Sequence, residues 1–269
     1  MTDDPTPTYE TLRVERADGV VTLTMTRPEK KNAMSHLMFR ELLAVFEDVT
    51  VRRDDRVLLI TGEGDGFCSG ADLTDSSAAA STQGPGDSVD YMRLVARCAL
   101  RLHELPKPAV AAVNGVAAGA GCNLALGCDI VIASERARFI EIFSKRGLVV
   151  DFGGSWLLPR LIGLHRAKEL IFLAESVDAA QAAEIGLVNR VVPADALLDE
   201  ARAVATKLAK LPPIQLSVTK RLLNQSLSVS MSDALEFEGI AQSLMFRTAD
   251  TTEAMLAFAQ KRDPSFRGE

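Results

Sequence analysis

Residues 11–16 and 20–26 alternate apolar and polar side chains on either side of Ala17-Asp18-Gly19. That is the period of two half-buried strands joined by a tight hairpin turn. On the second strand Val21, Leu23 and Met25 share one face, and Pro28 ends the run. From Ser35 the spacing changes. Leu37, Met38, Leu42, Val45, Phe46 and Val49 recur at intervals that predict an amphipathic helix, with Ser35 as its N-cap. Val57-Leu58-Leu59-Ile60 is a continuous apolar run suited to a strand buried on both faces. A glycine-rich stretch covers 62–72, and residues 75–88, rich in Ser, Ala and Gly, read as a mobile surface loop.

Helical spacing returns over 89–104 through Met92, Val95, Ala99 and Leu102. Residues 109–113 and 129–133 read as buried strands flanking a segment of small residues, 115–127. Strand–helix alternation continues to a strand at 187–192. Beyond 195 each segment reads as helix: 196–210, 214–226, 232–246 and 251–261. The order predicts an α/β core over residues 1–195 and a helical region over 196–269. No exact repeat is visible.

Composition narrows the function. With 47% apolar and 25% charged residues the chain is globular, and a net charge of −6 offers no general attraction for nucleic acid. An anionic ligand must be held by local Lys and Arg residues or by backbone amides. The four cysteines lack paired CxxC spacing, and each lies among apolar or small residues, which predicts buried free thiols and a reducing compartment. Residues 1–10 lack the basic and apolar regions of a signal peptide, and no uncharged apolar run reaches membrane-spanning length. A cytoplasmic location without membrane contact is expected. His36, His103 and His165 show no metal-ligand spacing with Cys, Asp or Glu, so no metal is expected. Trp156 reads as core.

Two segments carry chemistry. Phe67-Cys68-Ser69-Gly70-Ala71-Asp72-Leu73 follows one strand, and Asn114-Gly115-Val116-Ala117-Ala118-Gly119-Ala120-Gly121-Cys122-Asn123 follows another. Glycine frees the backbone to turn an amide outward, and unpaired N–H groups at a helix start favour negative charge. Two such donors meeting at one oxygen would make an oxyanion hole. Either segment alone reads more simply as a tight strand-to-helix turn.

Together, and in order with TRPEKKNAM (26–34), GLVVDFGGSWLLPRLIG (147–163), AAEIGLVNRVV (182–192) and AFAQKRDPSF (257–266), they resemble the crotonase, or enoyl-CoA hydratase/isomerase, superfamily along nearly the whole chain. The resemblance implies a spiral of ββα turns, a C-terminal helical trimerisation region, and a homotrimer or dimer of trimers. It implies an acyl-CoA thioester as partner in fatty-acid metabolism, with coenzyme A entering as part of the substrate and no separate cofactor. By position, the backbone amides of Ala71 and Ala120 would be the oxyanion donors, with Gly70 and Gly119 beside them. Lys30, Lys31, Cys68, Asp72 and Lys261 would serve CoA, with Lys261 on the final helix placed to serve that of its own chain or of a neighbouring subunit. RNA binding, known in the family, gains nothing from the acidic charge balance.

The sequence departs from the family at the two glutamates of its hydratases, whose positions here hold Asn123 and Phe143. Neither is a useful base at neutral pH: in the substrate pocket Asn123 could hold a water or orient a substrate, and Phe143 can only shape the pocket or stack on an acyl group. Asp151, within Leu148-Val149-Val150-Asp151-Phe152, stands where family isomerases and a related dehalogenase resemble one another in placing a catalytic aspartate. It also reads as a cap for the helix starting near Gly154. Glu141 is a second candidate acid, since on a strand it would share a face with Phe143, but it reads more simply as a surface ion-pair partner. The expected reaction is double-bond isomerisation, 3-enoyl-CoA to 2-enoyl-CoA, with Asp151 as base. The alternatives are hydration with atypical groups, an aspartate-nucleophile hydrolase or dehalogenase, and a non-catalytic acyl-CoA-binding protein.

Overall fold

The computed structural model describes residues 8–75 and 85–269. β1 (Leu12–Ala17) and β2 (Val20–Met25) pair antiparallel, with Ala17 opposite Val20. Only Asp18 and Gly19 join them, at φ of 51° and 79°. A two-residue turn with both φ positive matches the twist of the strands it connects. The helix His36–Val51 follows, and the Ser35 side chain accepts from the Met38 amide as its N-cap. The chain then returns parallel to β2 as β3 (Val57–Gly62).

From β3 onward one unit repeats: a strand in a large sheet, a short strand in a second sheet, then a helical segment. β3 leads to β4 (Gly66–Cys68) and the helix Pro85–His103. β5 (Ala109–Val113) leads to β6 (Val116–Ala118) and the helix Ala120–Leu126. β7 (Ile130–Ser134) leads to β8 (Arg138–Ile140) and a 3-10 turn, Ile142–Arg146. With β9 (Val177–Asp178) and β10 (Arg190–Val192), the sheets run β1-β2-β3-β5-β7-β10 and β4-β6-β8-β9. Each unit advances one strand in both sheets, so the chain winds as the expected spiral of ββα turns.

Both faces of the large sheet are covered, which explains the unbroken apolar run in β3. Leu58 and Ile60 pack into the main core with Met38, Phe39, Leu42 and Phe46. Val57 and Leu59 face the other way, with Val110, Ala112 and Ile132, beneath Leu197, Ala201 and Ala205 of the helix Leu197–Ala209. The first helix of the C-terminal region is therefore part of the spiral's packing. Beyond it, Pro213–Gln225, Met231–Met245 and Ala249–Gln260 leave Leu223, Ile240, Leu244, Phe246 and Phe258 exposed. Among the described residues no helix is long and apolar enough to cross a membrane.

Several expectations need correction. The loop assigned to 75–88 lies outside the described residues over 76–84, but 85–88 already form helix. Proline is tolerated in a first helical turn because its missing N–H has no acceptor there. Trp156 is 37% exposed, with the Arg160 guanidinium 3.9 Å over its ring and His103 against its edge. All four cysteines are buried free thiols, as expected.

Candidate active site

Two turns from separate ββα units meet at Gly70 and Gly119. Residues 70–72 run beside Met34: the Met34 amide donates to the Gly70 carbonyl (2.8 Å), and the Asp72 amide donates to the Met34 carbonyl (2.9 Å). Amides alternate sides along an extended segment, so the Ala71 N–H between them points away from Met34. It has no hydrogen-bond partner among the described residues. On that side lies the second turn. A Cβ built on Gly70, whose φ is 98°, would stand 2.8 Å from the Ala118 carbonyl oxygen and 3.8 Å from the Ala120 nitrogen.

Gly119 is the N-cap of Ala120–Leu126 at φ 51°, ψ −127°, a conformation open to glycine. Its amide donates to Ile140 and its carbonyl accepts from Asn123. Ala120 is the first helical residue, so its N–H has no intrahelical acceptor, and none is found elsewhere among the described residues. Ala71 and Ala120 both line a cleft of about 510 Å³, together with Lys30, Asp72, Phe143, Arg146 and Asp151.

Asp151 belongs to two clefts at once. The second, about 560 Å³, is apolar, with Met92, Val95, Leu100, Phe152 and Trp156 in its wall. Burial pushes the Asp151 carboxyl up to about 6. Its Oδ1 is buried without a hydrogen-bond partner. The helix Gly154–Ile162 has Gly153 as N-cap and no side-chain cap, so Asp151 is not the cap that its position suggested. Only its backbone carbonyl takes part, accepting from the Gly154 amide (3.0 Å) and from Asn123 Nδ2 (2.9 Å).

Other expected site residues divide sharply. Phe143 is in the cleft wall, 4% exposed. Asn123 is fully buried and lines neither cleft that contains Asp151. Its pocket role is therefore corrected to a brace behind Asp151. Cys68 is also corrected: it is fully buried, Gly121 packs against its thiol, and burial pushes that thiol up to about 12. Asp72 is buried and accepts from Arg27 (2.8 Å), Lys30 (3.0 Å) and the Thr74 hydroxyl (2.6 Å). Burial alone would raise its carboxyl, but hydrogen bonds from Thr74, Arg27 and Lys30 hold it well below the usual carboxylate range.

Lys31 pairs with Asp65 and is absent from the cleft wall. Lys261 is the exposed C-cap of the last helix and is absent from the cleft wall of its own chain. Glu141 is the clearest reversal. It is 3% exposed, forms no ion pair among the described residues, and has both carboxyl oxygens buried without a partner. Arg27 and Arg146 were missed. Arg27 lies within TRPEKKNAM beside Lys30, but nothing local showed that it holds Asp72. Arg146 enters the cleft through a 3-10 turn with no periodic signal.

Two unpartnered amides and a buried carboxyl around one cleft can stabilise a developing oxyanion while a proton is moved nearby. The comparisons agree with that chemistry. Residues 15–269 match the family model for enoyl-CoA hydratase/isomerase. The chain is 42% identical over 253 residues to 1,2-epoxyphenylacetyl-CoA isomerase of Escherichia coli K12, covering 93% of this chain and 96% of that one. It is 35% identical to 2,3-dehydroadipyl-CoA hydratase of the same organism, covering 96% and 98%. A solved enoyl-CoA hydratase/isomerase from Cupriavidus metallidurans CH34 superimposes with a TM-score of 0.90 at 36% identity, covering 98% of both chains. The chain belongs to the enoyl-CoA hydratase/isomerase family, the crotonase superfamily, whose members act on acyl-CoA thioesters.

Proposed function

We propose that this enzyme isomerises 3-enoyl-CoA to 2-enoyl-CoA. The observation that carries the reading is Asp151: one carboxyl, raised to about 6, in the wall of the cleft that also holds the Ala71 and Ala120 amides. Near neutral pH it is ionised yet basic enough to take a proton activated by a thioester. Asp151 removes a C2 proton, the electron pair moves onto the thioester oxygen, and the two amides hold the resulting dienolate. The same carboxylic acid then returns its proton at C4 as the double bond settles between C2 and C3. One carboxyl suffices.

The apolar cleft on the other side of Asp151 suits the acyl group, while Lys30 and Arg146 offer positive charge to the anionic end of coenzyme A. Hydration needs a second group to position water at C3. Asn123 is sealed in the core, Phe143 is apolar, and Glu141 is absent from both cleft walls, which favours isomerisation over hydration. A cytoplasmic enzyme assembled as a trimer through its exposed C-terminal apolar side chains completes the reading.

The test compares wild type with Asp151→Asn on 3-enoyl-CoA and 2-enoyl-CoA. Isomerase turnover falls at least about 10³-fold in the variant, as expected when the sole base is lost. Undiminished turnover removes Asp151 from the mechanism, and rapid water addition to 2-enoyl-CoA by the wild type overturns the choice of reaction.

A further inference from the structure

Glu141 is a strongly buried carboxyl beside the site that the proposed reaction does not use, and unlike Asp72 it has no cation against it among the described residues. β8 ends at Ile140 and the 3-10 turn begins at Ile142, so Glu141 sits at a break in the backbone pattern. Phe143 goes to the cleft and Glu141 into the interior. Its carboxyl adjoins the Cys122 thiol and the Asn123 side chain, with Asp151 the next charged group. Cys122 itself is a fully buried neutral thiol whose ionisation is pushed well up by burial and by Glu141. Among the described residues no Lys or Arg contributes to the Glu141 environment.

Three atoms here are acceptors left without a donor: both Glu141 carboxyl oxygens and Asn123 Oδ1. A buried carboxylate with no cation is costly, and so is an orphaned amide oxygen. One proton resolves both. A protonated Glu141 is a donor as well as an acceptor, and Asn123 Oδ1 is an acceptor that needs one. With Oδ1 so engaged, Nδ2 is left for the Asp151 carbonyl, where the structure places it at 2.9 Å.

We infer that Glu141 is a proton-holding positioning residue: a neutral carboxylic acid that orients Asn123, and through it the Asp151 segment, while adding no negative charge of its own beside Asp151. Its ionisation agrees. Burial pushes the carboxyl up to about 7, the Asp151 charge adds to the rise, and the polar Cys122 and Asn123 side chains beside it offset only part of it. Two neighbouring buried carboxyls titrate as a pair, and the second proton is held more tightly once the first has left. Between about 6 and about 7 the pair holds one proton, and its seat on Glu141 leaves Asp151 free to act as a base.

The functional consequence rests on Asp151 being the base, so the test has two arms. In the first, carboxyl carbons are followed by NMR from pH 5 to 9 without substrate, in wild type, Glu141→Gln and Asp151→Asn. A signal titrating near pH 7 is expected in wild type and absent in Glu141→Gln; in Asp151→Asn its midpoint falls. In the second, kcat/KM on 3-enoyl-CoA shows two ionisations in wild type, near 6 and 7, and only the one near 6 in Glu141→Gln. A Glu141 carboxyl ionised throughout the range, or a Glu141→Gln profile that superimposes on wild type after scaling, overturns the inference. A wild type without isomerase turnover sinks the proposed reaction, and the NMR arm still decides the state of Glu141. Should Glu141→Gln fail to fold, the shift in Asp151→Asn decides it.

Discussion

Replacing Gly70 by alanine puts a methyl carbon 2.8 Å from the Ala118 carbonyl oxygen at a φ of 98°. Carbon–oxygen contacts of even the close C–H···O type lie at about 3.3–3.6 Å, so the gap must widen by roughly half an ångström. Neither side yields easily: one is backbone in the turn carrying Ala71, and the other is backbone of β6 leading into Ala120. The positive φ adds about 1–2 kcal/mol of strain. The two unpartnered amides move apart as a result. Losing one oxyanion donor costs about 3 kcal/mol of barrier, so kcat on 3-enoyl-CoA should fall about 10²-fold or more. The assay pairs steady-state kinetics with a thermal melt and acyl-CoA binding, to separate loss of catalysis from loss of fold. A folded Gly70→Ala enzyme with kcat within two- to threefold of wild type would falsify the claim that these amides converge on the reacting oxygen.

Glu141 also predicts a pH-dependent stability. Its folded value, about 7, lies above its ordinary 4.5, so the folded state binds the extra proton and stability falls as pH rises between them. Across that window the penalty reaches about 3 kcal/mol. Glu141→Gln should therefore gain up to about 3 kcal/mol on wild type between pH 4.5 and pH 8 in urea unfolding; a constant difference contradicts a buried neutral acid. Asp72→Asn removes the charge that holds Arg27 and Lys30. It is expected to destabilise by about 2 kcal/mol and to weaken acyl-CoA binding in calorimetry. A change below about 0.5 kcal/mol with unaltered affinity would mean that the cluster neither supports the cleft nor orders Lys30.

Where the chemistry is local, the chain spells out its structure. The Asp18-Gly19 turn, the Ser35 cap and the repeating face of His36–Val51 each depend on side chains within a few residues, and all three formed as read except that Leu37, expected on the buried face, is exposed. The unbroken Val57–Ile60 run also foretold a strand covered on both sides. The second sheet was not legible, because strands of two or three residues such as β4, β6 and β9 carry no period. The family motifs located Ala71, Ala120 and Asp151, and the fold brings all three to one cleft.

Side-chain direction at the site is where local reasoning failed. Alternation placed Glu141 and Phe143 on one face, yet the strand ends at Ile140, before both, and one enters the core while the other enters the cleft. Asn123 matched a reactive family position but is sealed behind Asp151. Composition and periodicity thus determined the α/β character, the hairpin and the start of the first helix, and the family resemblance showed the loss of two carboxylates. The meeting of Gly70 with Ala118–Ala120, the burial of Glu141 and the environment that raises Asp151 were decided only by tertiary structure. The reason is physical: desolvation and amide orientation depend on which distant segments exclude water from a group, and that is a property of packing.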